Sequence, residues 1–354
     1  MRRFMLVLTM ALLCLRPAAS AQGLVFDLFA EYLEPLRVQA GIPGLAAAIV
    51  GTDDILWEQA YGQQDVARSV ATRMDTPFHV DGLTETMTAA LVLRCFEDRR
   101  LSLDNRVGEF VPSGPDADAT IAQLLTHTSG TADNLVYAYR PQRLEPLKVA
   151  IRACTGDSFR ETLANTLGGL AMFDSVPGPD VVTLVPPAEG IPSPSDRERY
   201  ADVLLRLATP YTIDLRRRAS ATQYGVTTLT PTSGLMSTVR DFAKFDKALR
   251  QGLIVRADTL TAAWRAPAGR GGQPLPHGLG WFVQTYHGEL VVWQYGVGQG
   301  GSSLMVTLPS KGLTMILFAN SDRLVRPLPL ADGDISVSPF AQLFFNLISR
   351  LGVQ

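Results

Sequence analysis

Apolar residues recur at helical spacing from Leu24 to Val38, and Gly41-Ile42-Pro43-Gly44 ends that pattern ahead of two strand-like stretches, Leu45 to Val50 and Ile55 to Tyr61. This predicts a helix feeding a hairpin. A second helix is expected from Asp81 or Gly82 to about Asp98, and a short one from Ile121 to Thr126. Six prolines between Val176 and Pro194 break any periodicity and predict an extended, ordered loop. Thr238, with Asp241 three residues on, resembles a capping box, and Val239, Phe242, Phe245 and Leu249 give the following helix one apolar face. From Leu279 to Ala319 the pattern turns to strands. Gly280 to Val283, Glu289 to Trp293, Ser303 to Leu308 and Leu313 to Ala319 are separated by Gly-rich or Pro-Ser-Lys-Gly turns, as an antiparallel meander requires. Phe340 to Leu351 reads as a closing apolar helix.

Strands at both ends around a helical middle predict an α/β (α+β) fold: an antiparallel sheet flanked by helices, built from both chain ends, with an inserted, mostly helical lobe. The α/β lobe is expected at about residues 24–80 and 255–354, and the helical lobe at about 81–254.

Composition supports a large core, since 46% of the 354 residues are hydrophobic and only 19% are charged. The opening residues change the picture further. Met1-Arg2-Arg3, the apolar run Phe4 to Leu15 and then Arg16-Pro17-Ala18-Ala19-Ser20-Ala21 have the three parts of a secretory signal, with cleavage expected after Ala21. The run is too short to span a bilayer, and Ala11-Leu12-Leu13 lacks the small residue expected before a lipid-modified Cys14. A periplasmic or secreted protein of residues 22–354, folded as a single domain without a membrane span, is therefore expected. Losing Arg2, Arg3 and Arg16 from 32 basic residues, and no acid from 34, leaves 29 against 34 and a formal charge of −5. That balance argues against a nucleic-acid partner. Cys95 and Cys154 remain. An oxidising compartment would permit a bridge, but Met87, Leu91 and Cys95 form one apolar stripe, so two buried thiols are the expectation.

Several segments together resemble the serine β-lactamase and penicillin-binding-protein family, in its class C β-lactamase and esterase branch. They are Thr76-Pro77-Phe78-His79-Val80, Leu101-Ser102-Leu103-Asp104, Leu124 to Gly130, Ser233 to Asp241, Gly278-Leu279-Gly280-Trp281 and Phe318-Ala319-Asn320-Ser321-Asp322. The resemblance covers about Leu24 to Asp322. It implies a β-lactamase-like fold and a family chemistry of acyl transfer by a serine and a lysine one helical turn apart. Residues i and i+3 share a helix face, so the amine can take the hydroxyl proton while the helix N-terminus favours developing negative charge.

At that position this chain reads Gly82-Leu83-Thr84-Glu85. The nucleophile is a hydrogen and the base an acid. Misalignment does not rescue the motif, because the residues three before Lys148, Lys244, Lys247 and Lys311 are Glu145, Asp241, Lys244 and Leu308. No tyrosine has Asn two residues on. Aligning Pro177-Gly178 with the Pro-Gly that usually precedes the Tyr-x-Asn motif puts Thr183 and Val185 at its functional positions. The third motif, Lys or His followed by Ser or Thr and then Gly, has Gln294-Tyr295-Gly296 as its counterpart, which keeps the glycine and loses the cation.

These losses predict a family scaffold without serine acyl chemistry. Its cleft would be kept for a small molecule, a cell-wall fragment or a protein, and Asp81, Gly82, Glu85, Gln294, Tyr295 and Gly296 are the candidate binding residues. The competing reading is a working hydrolase, of esterase, β-lactamase or peptidase type, with a rearranged nucleophile drawn from Thr84, Thr86, Ser302 or Ser303. His127 sits where the family has a structural turn. Gly296, Gly298 and Gly301 mimic a phosphate-binding loop but precede a strand and not a helix. His79, Asp81 and Glu85 could converge through shared strand and helix faces, but the chain has four histidines, none in a ligand pair at i+3 or i+4, so neither a metal nor a cofactor is expected. Arg216-Arg217-Arg218 reads as a solvated face. Gly82→Ser with Glu85→Lys is expected to leave the protein folded, since both residues suit a helix start.

Overall fold

A computed structural model describes residues 21–348. The expected signal, apart from Ala21, and the last turn of the expected closing helix lie outside the described residues. Helix α1 (Ala21–Ala40) leads into strands β1 (Gly44–Val50), β2 (Ile55–Asp65) and β3 (Val70–Ala71). Strands β4 (Phe282–Tyr286), β5 (Glu289–Gly298), β6 (Gly301–Leu308) and β7 (Leu313–Ala319) form the expected meander. The seven strands make one sheet in the order β4-β5-β6-β7-β1-β2-β3. Its two halves join where β1 pairs antiparallel with β7, from Leu45 opposite Ala319 to Val50 opposite Thr314. Both chain ends therefore build the sheet.

Alternation along β1 divides the core. Leu45, Ala47 and Ile49 pack in the cluster that holds Phe29 and Leu33 of α1 and Phe344 of the closing helix Pro339–Ile348. Ala46, Ala48 and Val50 face the other way, into a cluster with the helices inserted between the sheet halves. Those helices are α2 (Thr84–Glu97), α3 (Ile121–Leu125), α4 (Leu147–Thr155), α5 (Phe159–Gly169), α6 (Pro194–Leu205), α7 (Val239–Arg250) and α8 (Ala257–Ala263), with the closing helix as α9. Thr238 caps α7 by accepting from the Asp241 amide at 3.2 Å, and all four expected apolar residues of α7 are buried. Inside α7, buried Asp246 pairs with Arg250 at 2.6 Å and accepts the Thr314 hydroxyl at 3.0 Å, fixing the helix to β7.

A small three-stranded sheet sets the entry to α2. Leu235–Ser237 pairs antiparallel with Phe78–His79 on one side and with Val176–Pro177 on the other. The expectation of two free thiols is corrected: Cys95, near the end of α2, is bonded to Cys154, near the end of α4, with their Cα atoms 6.1 Å apart. A buried sulfur on an apolar stripe looks the same in sequence whether bonded or free, and only the approach of α4 to α2 decides it. The bridge closes 59 residues, so reduction, or Cys95→Ala with Cys154→Ala, is expected to cost about 4 kcal/mol. Denaturant melts with and without reductant would measure it, and a change below about 1 kcal/mol would contradict that expectation.

Candidate functional site

The site lies where the start of α2 meets β5. Asp81–Leu83 forms a single 3-10 turn ahead of α2, with Asp81 in the left-handed region at φ +46°. Gly82 does not have a positive φ; it is required by closeness. A Cβ on Gly82 would lie 2.5 Å from the Tyr295 carbonyl oxygen and 3.3 Å from Gly296 Cα. A Cβ on Gly296 would in turn meet the Val80 carbonyl at 2.3 Å and the Gly82 nitrogen at 2.6 Å. Two backbones are thus seated directly on one another, with no room for a side chain at position 82.

One turn into α2, Glu85 is completely buried and gathers neutral partners. The Tyr139 hydroxyl donates to its Oε1 at 3.0 Å, and Gln294 Nε2 donates to its Oε2 at 3.4 Å. The Gln294 amide is oriented by its own Oε1, which accepts from the Tyr295 amide at 2.9 Å. His127 Nε2 sits 3.4 Å from Glu85 Oε2, without the alignment of a hydrogen bond. No partner carries a full positive charge, so burial dominates and pushes the Glu85 carboxyl up to about 8, the Tyr139 hydrogen bond opposing it. At neutral pH Glu85 is mainly an uncharged carboxylic acid.

The imidazoles agree with that neutrality. His127, at φ +51° and fully buried, accepts from the Arg140 amide through Nδ1 at 3.3 Å, which assigns its proton to Nε2, facing Glu85. Burial lowers its pKa to about 3, and the nearby Arg143 guanidinium adds to the shift. Its ring meets those of Tyr139 and His277 edge-on at 4.6 and 4.7 Å. Burial, with the His127 charge as a second cause, drives His277 well below its ordinary value. Burial and then Glu85 raise Tyr139 well above its own.

The tyrosine that reaches Glu85 is Tyr139, which has Pro141 two residues on. Thr183 is exposed on the 181–183 turn with its hydroxyl donating to the Asp180 carbonyl, and Val185 is exposed just beyond it. Sequence reasoning missed Tyr139 because it demanded Asn at the second following position, and Tyr139 lies between short elements with no periodic pattern. The third-motif counterpart does lie at the site, through Gln294 and the packing of Tyr295 and Gly296. His79 and Asp81 pair at 3.0 Å, but Glu85 turns away from them toward Tyr139.

The sequence leaves open whether these residues line open space or fill it with their own side chains, and in the structure their side chains are buried. Asp81, Glu85, Gln294 and Tyr295 are 4%, 0%, 0% and 6% exposed. Five cavities of about 260 to 530 Å³ are found elsewhere among the described residues, and none of the candidate residues lines any of them. The four hydroxyls considered as replacement nucleophiles are all buried and donate to backbone carbonyls: Thr84 to Asp81 at 2.7 Å, Thr86 to Leu83 at 2.7 Å, Ser302 to Ser321 at 2.5 Å and Ser303 to Val80 at 2.6 Å.

A sheet joined from both chain ends, with a helical insertion whose first helix starts against β5, defines a β-lactamase-type architecture. The family model described as Beta-lactamase matches residues 27–335, and the chain belongs to that family. Penicillin-binding protein 4 of Amycolatopsis lactamdurans is 35% identical over 108 residues, a stretch that is 29% of this chain and only 28% of that relative. Among solved structures, a class C β-lactamase superposes with a TM-score of 0.71 at 16% identity, covering 93% of this chain and 97% of that one. A D-alanine carboxypeptidase from Burkholderia cenocepacia gives 0.69 at 19% identity, covering 92% and 99%. At such identities the superpositions establish the shared fold.

Proposed function

We propose that this chain is an exported β-lactamase-family protein that has given up serine acyl transfer and acts by binding. The observation that carries the reading is Gly82 packed against the Tyr295 carbonyl, with buried Glu85 at the position of the lysine base. A nucleophile needs a hydroxyl or thiol beside a group that can take its proton. Here the position has no side chain, and the group one turn away is an acid held in its protonated form. The inward-facing Glu85, Tyr139 and His127 cluster serves as a polar core that fixes α2 against β5. Export is supported by the residue pattern of Met1 to Ala21 and by the Cys95–Cys154 bridge, which suits an oxidising compartment. No helix among the described residues is long and apolar enough to cross a membrane.

Purified protein is expected to hydrolyse neither β-lactams nor short-chain aryl esters above background, and to take up no penicillin or fluorophosphonate label. Intact mass after prolonged incubation with each reagent is the measurement. Stoichiometric adducts mapped to Thr84, Thr86, Ser302 or Ser303 would overturn the proposal in favour of a hydrolase with a relocated nucleophile.

A further inference from the structure

Away from that site, two cavities between α1 and α9 join end to end. The first, of about 390 Å³, is bordered by Arg217, Arg323 and Arg326 and also by Asp214, and the second, of about 530 Å³, lies next to it. They share Leu36, Gln39 and Pro339. Among the described residues no charged one lines the second; its walls are Tyr32, Leu36, Val337, Pro339 and Leu343 with the amides Gln39, Gln342 and Asn346. Measured along α9 from Pro339 to Asn346, the uncharged trough runs for about 10 Å.

Charge gathers at one end only, where guanidinium groups outnumber carboxylates. The hairpin that follows Tyr211–Ile213 carries Arg216, Arg217 and Arg218, while Arg323 and Arg326 face it. Arg218 uses the carboxylate of Asp214 at 2.7 Å. One carboxylate, Asp322, serves both Arg323 at 3.5 Å and Arg326 at 3.9 Å, and Arg323 also donates through Nη2 to the Ile213 carbonyl. Arg216 and Arg217 have no acidic partner among the described residues. Five arginines against two aspartates make this a cationic spot on a chain whose overall charge is −2. Leu215, on the edge of the first cavity, is 100% exposed, an apolar side chain with nothing covering it among the described residues.

A cationic rim opening into a long uncharged, largely apolar trough matches a molecule with one anionic head and one hydrocarbon tail. We propose that the α1–α9 groove binds a single-chain anionic amphiphile, a long-chain carboxylate or alkyl phosphate. Its head lies among Arg217, Arg323 and Arg326, its tail lies along Leu36, Pro339 and Leu343, and Leu215 folds over the junction. Guanidinium groups suit the head because they give paired hydrogen bonds to carboxylate or phosphate oxygens, and burial of the tail supplies the rest of the affinity.

The test is calorimetric titration of the full-length protein at low salt with four twelve-carbon amphiphiles below their micelle concentrations. These are dodecanoate, dodecyl phosphate, dodecyl maltoside and dodecyltrimethylammonium. The two anions are expected to bind one per chain and about tenfold or more tighter than the neutral and cationic probes. Arg217→Gln with Arg326→Gln, both at exposed positions, is expected to bring the anions down to the neutral level. Val337→Asp, on the exposed trough wall, is expected to weaken all four. Equal binding of the maltoside, undiminished anion binding in the double variant, binding of inorganic phosphate as tight as dodecyl phosphate, or binding to anionic vesicles but not to monomers would each overturn the proposal.

Discussion

Glu85→Gln is expected to abolish a loss of stability that the natural protein suffers as pH rises through neutrality. The folded-state pKa of Glu85, about 8, lies above its ordinary 4.5, so the folded protein holds this proton more tightly than the unfolded chain. The contribution is at its best below pH 4.5, declines as pH rises and levels off above about 8. At pH 7 it amounts to a penalty on the order of 3 kcal/mol, a large share of a typical net stability of about 5–15 kcal/mol. His127 acts in the opposite sense. Its folded pKa of about 3 lies below 6.5, so its penalty is absent above 6.5 and grows as pH falls toward 3. Between 4.5 and 6.5 the two slopes cancel, and the cluster alone gives a flat top falling away on both sides. The variant should keep the acid limb and lose the alkaline one. Subtracting denaturant-derived stabilities of the variant from those of the natural protein across pH 4 to 9 isolates the term. A difference that does not change with pH would mean that Glu85 is ionised in the folded state.

How much of this was legible in the sequence depends on whether a feature was local. The meander from Phe282 to Ala319 and the capped helix after Thr238 were readable because strand alternation and capping chemistry are written within a few residues. That both chain ends build one sheet followed from the strand-like stretches at each end, while the pairing of β1 with β7 came only from the structure. The identity of the site was legible in part: Gly82, Glu85 and Gln294 were found, and they do meet. Their surroundings were not. Tyr139 lies 54 residues from Glu85, and His277 reaches the same cluster from beyond α8, so nothing in a sequence window joins them. The closure was equally hidden. It is made by the Tyr295 carbonyl and the Gly296 backbone, which any residue type could supply at position 295, and Gly296 reads in sequence as a retained motif residue. The disulfide was hidden because both outcomes bury Cys95.

That closure reverses the expectation for restoring the family motif. Judged by helix preference alone, Gly82→Ser with Glu85→Lys looks harmless, since serine and lysine both suit a helix start. In the folded protein the serine Cβ would lie 2.5 Å from the Tyr295 carbonyl, and backbone at that distance cannot swing aside as a side chain would. Either β5 or the 81–83 turn has to move, and overpacking of this kind costs about 1–3 kcal/mol or more. Lysine at 85 adds a second penalty. Its ammonium would replace a neutral acid in a fully buried space beside Tyr139, Gln294 and His127, none of which offers a negative charge. An unpaired buried charge costs several kcal/mol, partly relieved by loss of its proton. Together the two changes approach the whole stability of a domain, at roughly 5–10 kcal/mol. The double variant is therefore expected to be unfolded or insoluble and to acquire no acyl-transfer activity. Gly82→Ala separates the causes, because it adds the Cβ without a charge or a hydroxyl and should by itself lower the denaturation midpoint clearly. Thermal and urea melts of Gly82→Ala, Glu85→Lys and the double variant supply the measurement. A Gly82→Ala protein as stable as the natural one would show that β5 yields easily, that the site opens, and that the position is available to a side chain after all.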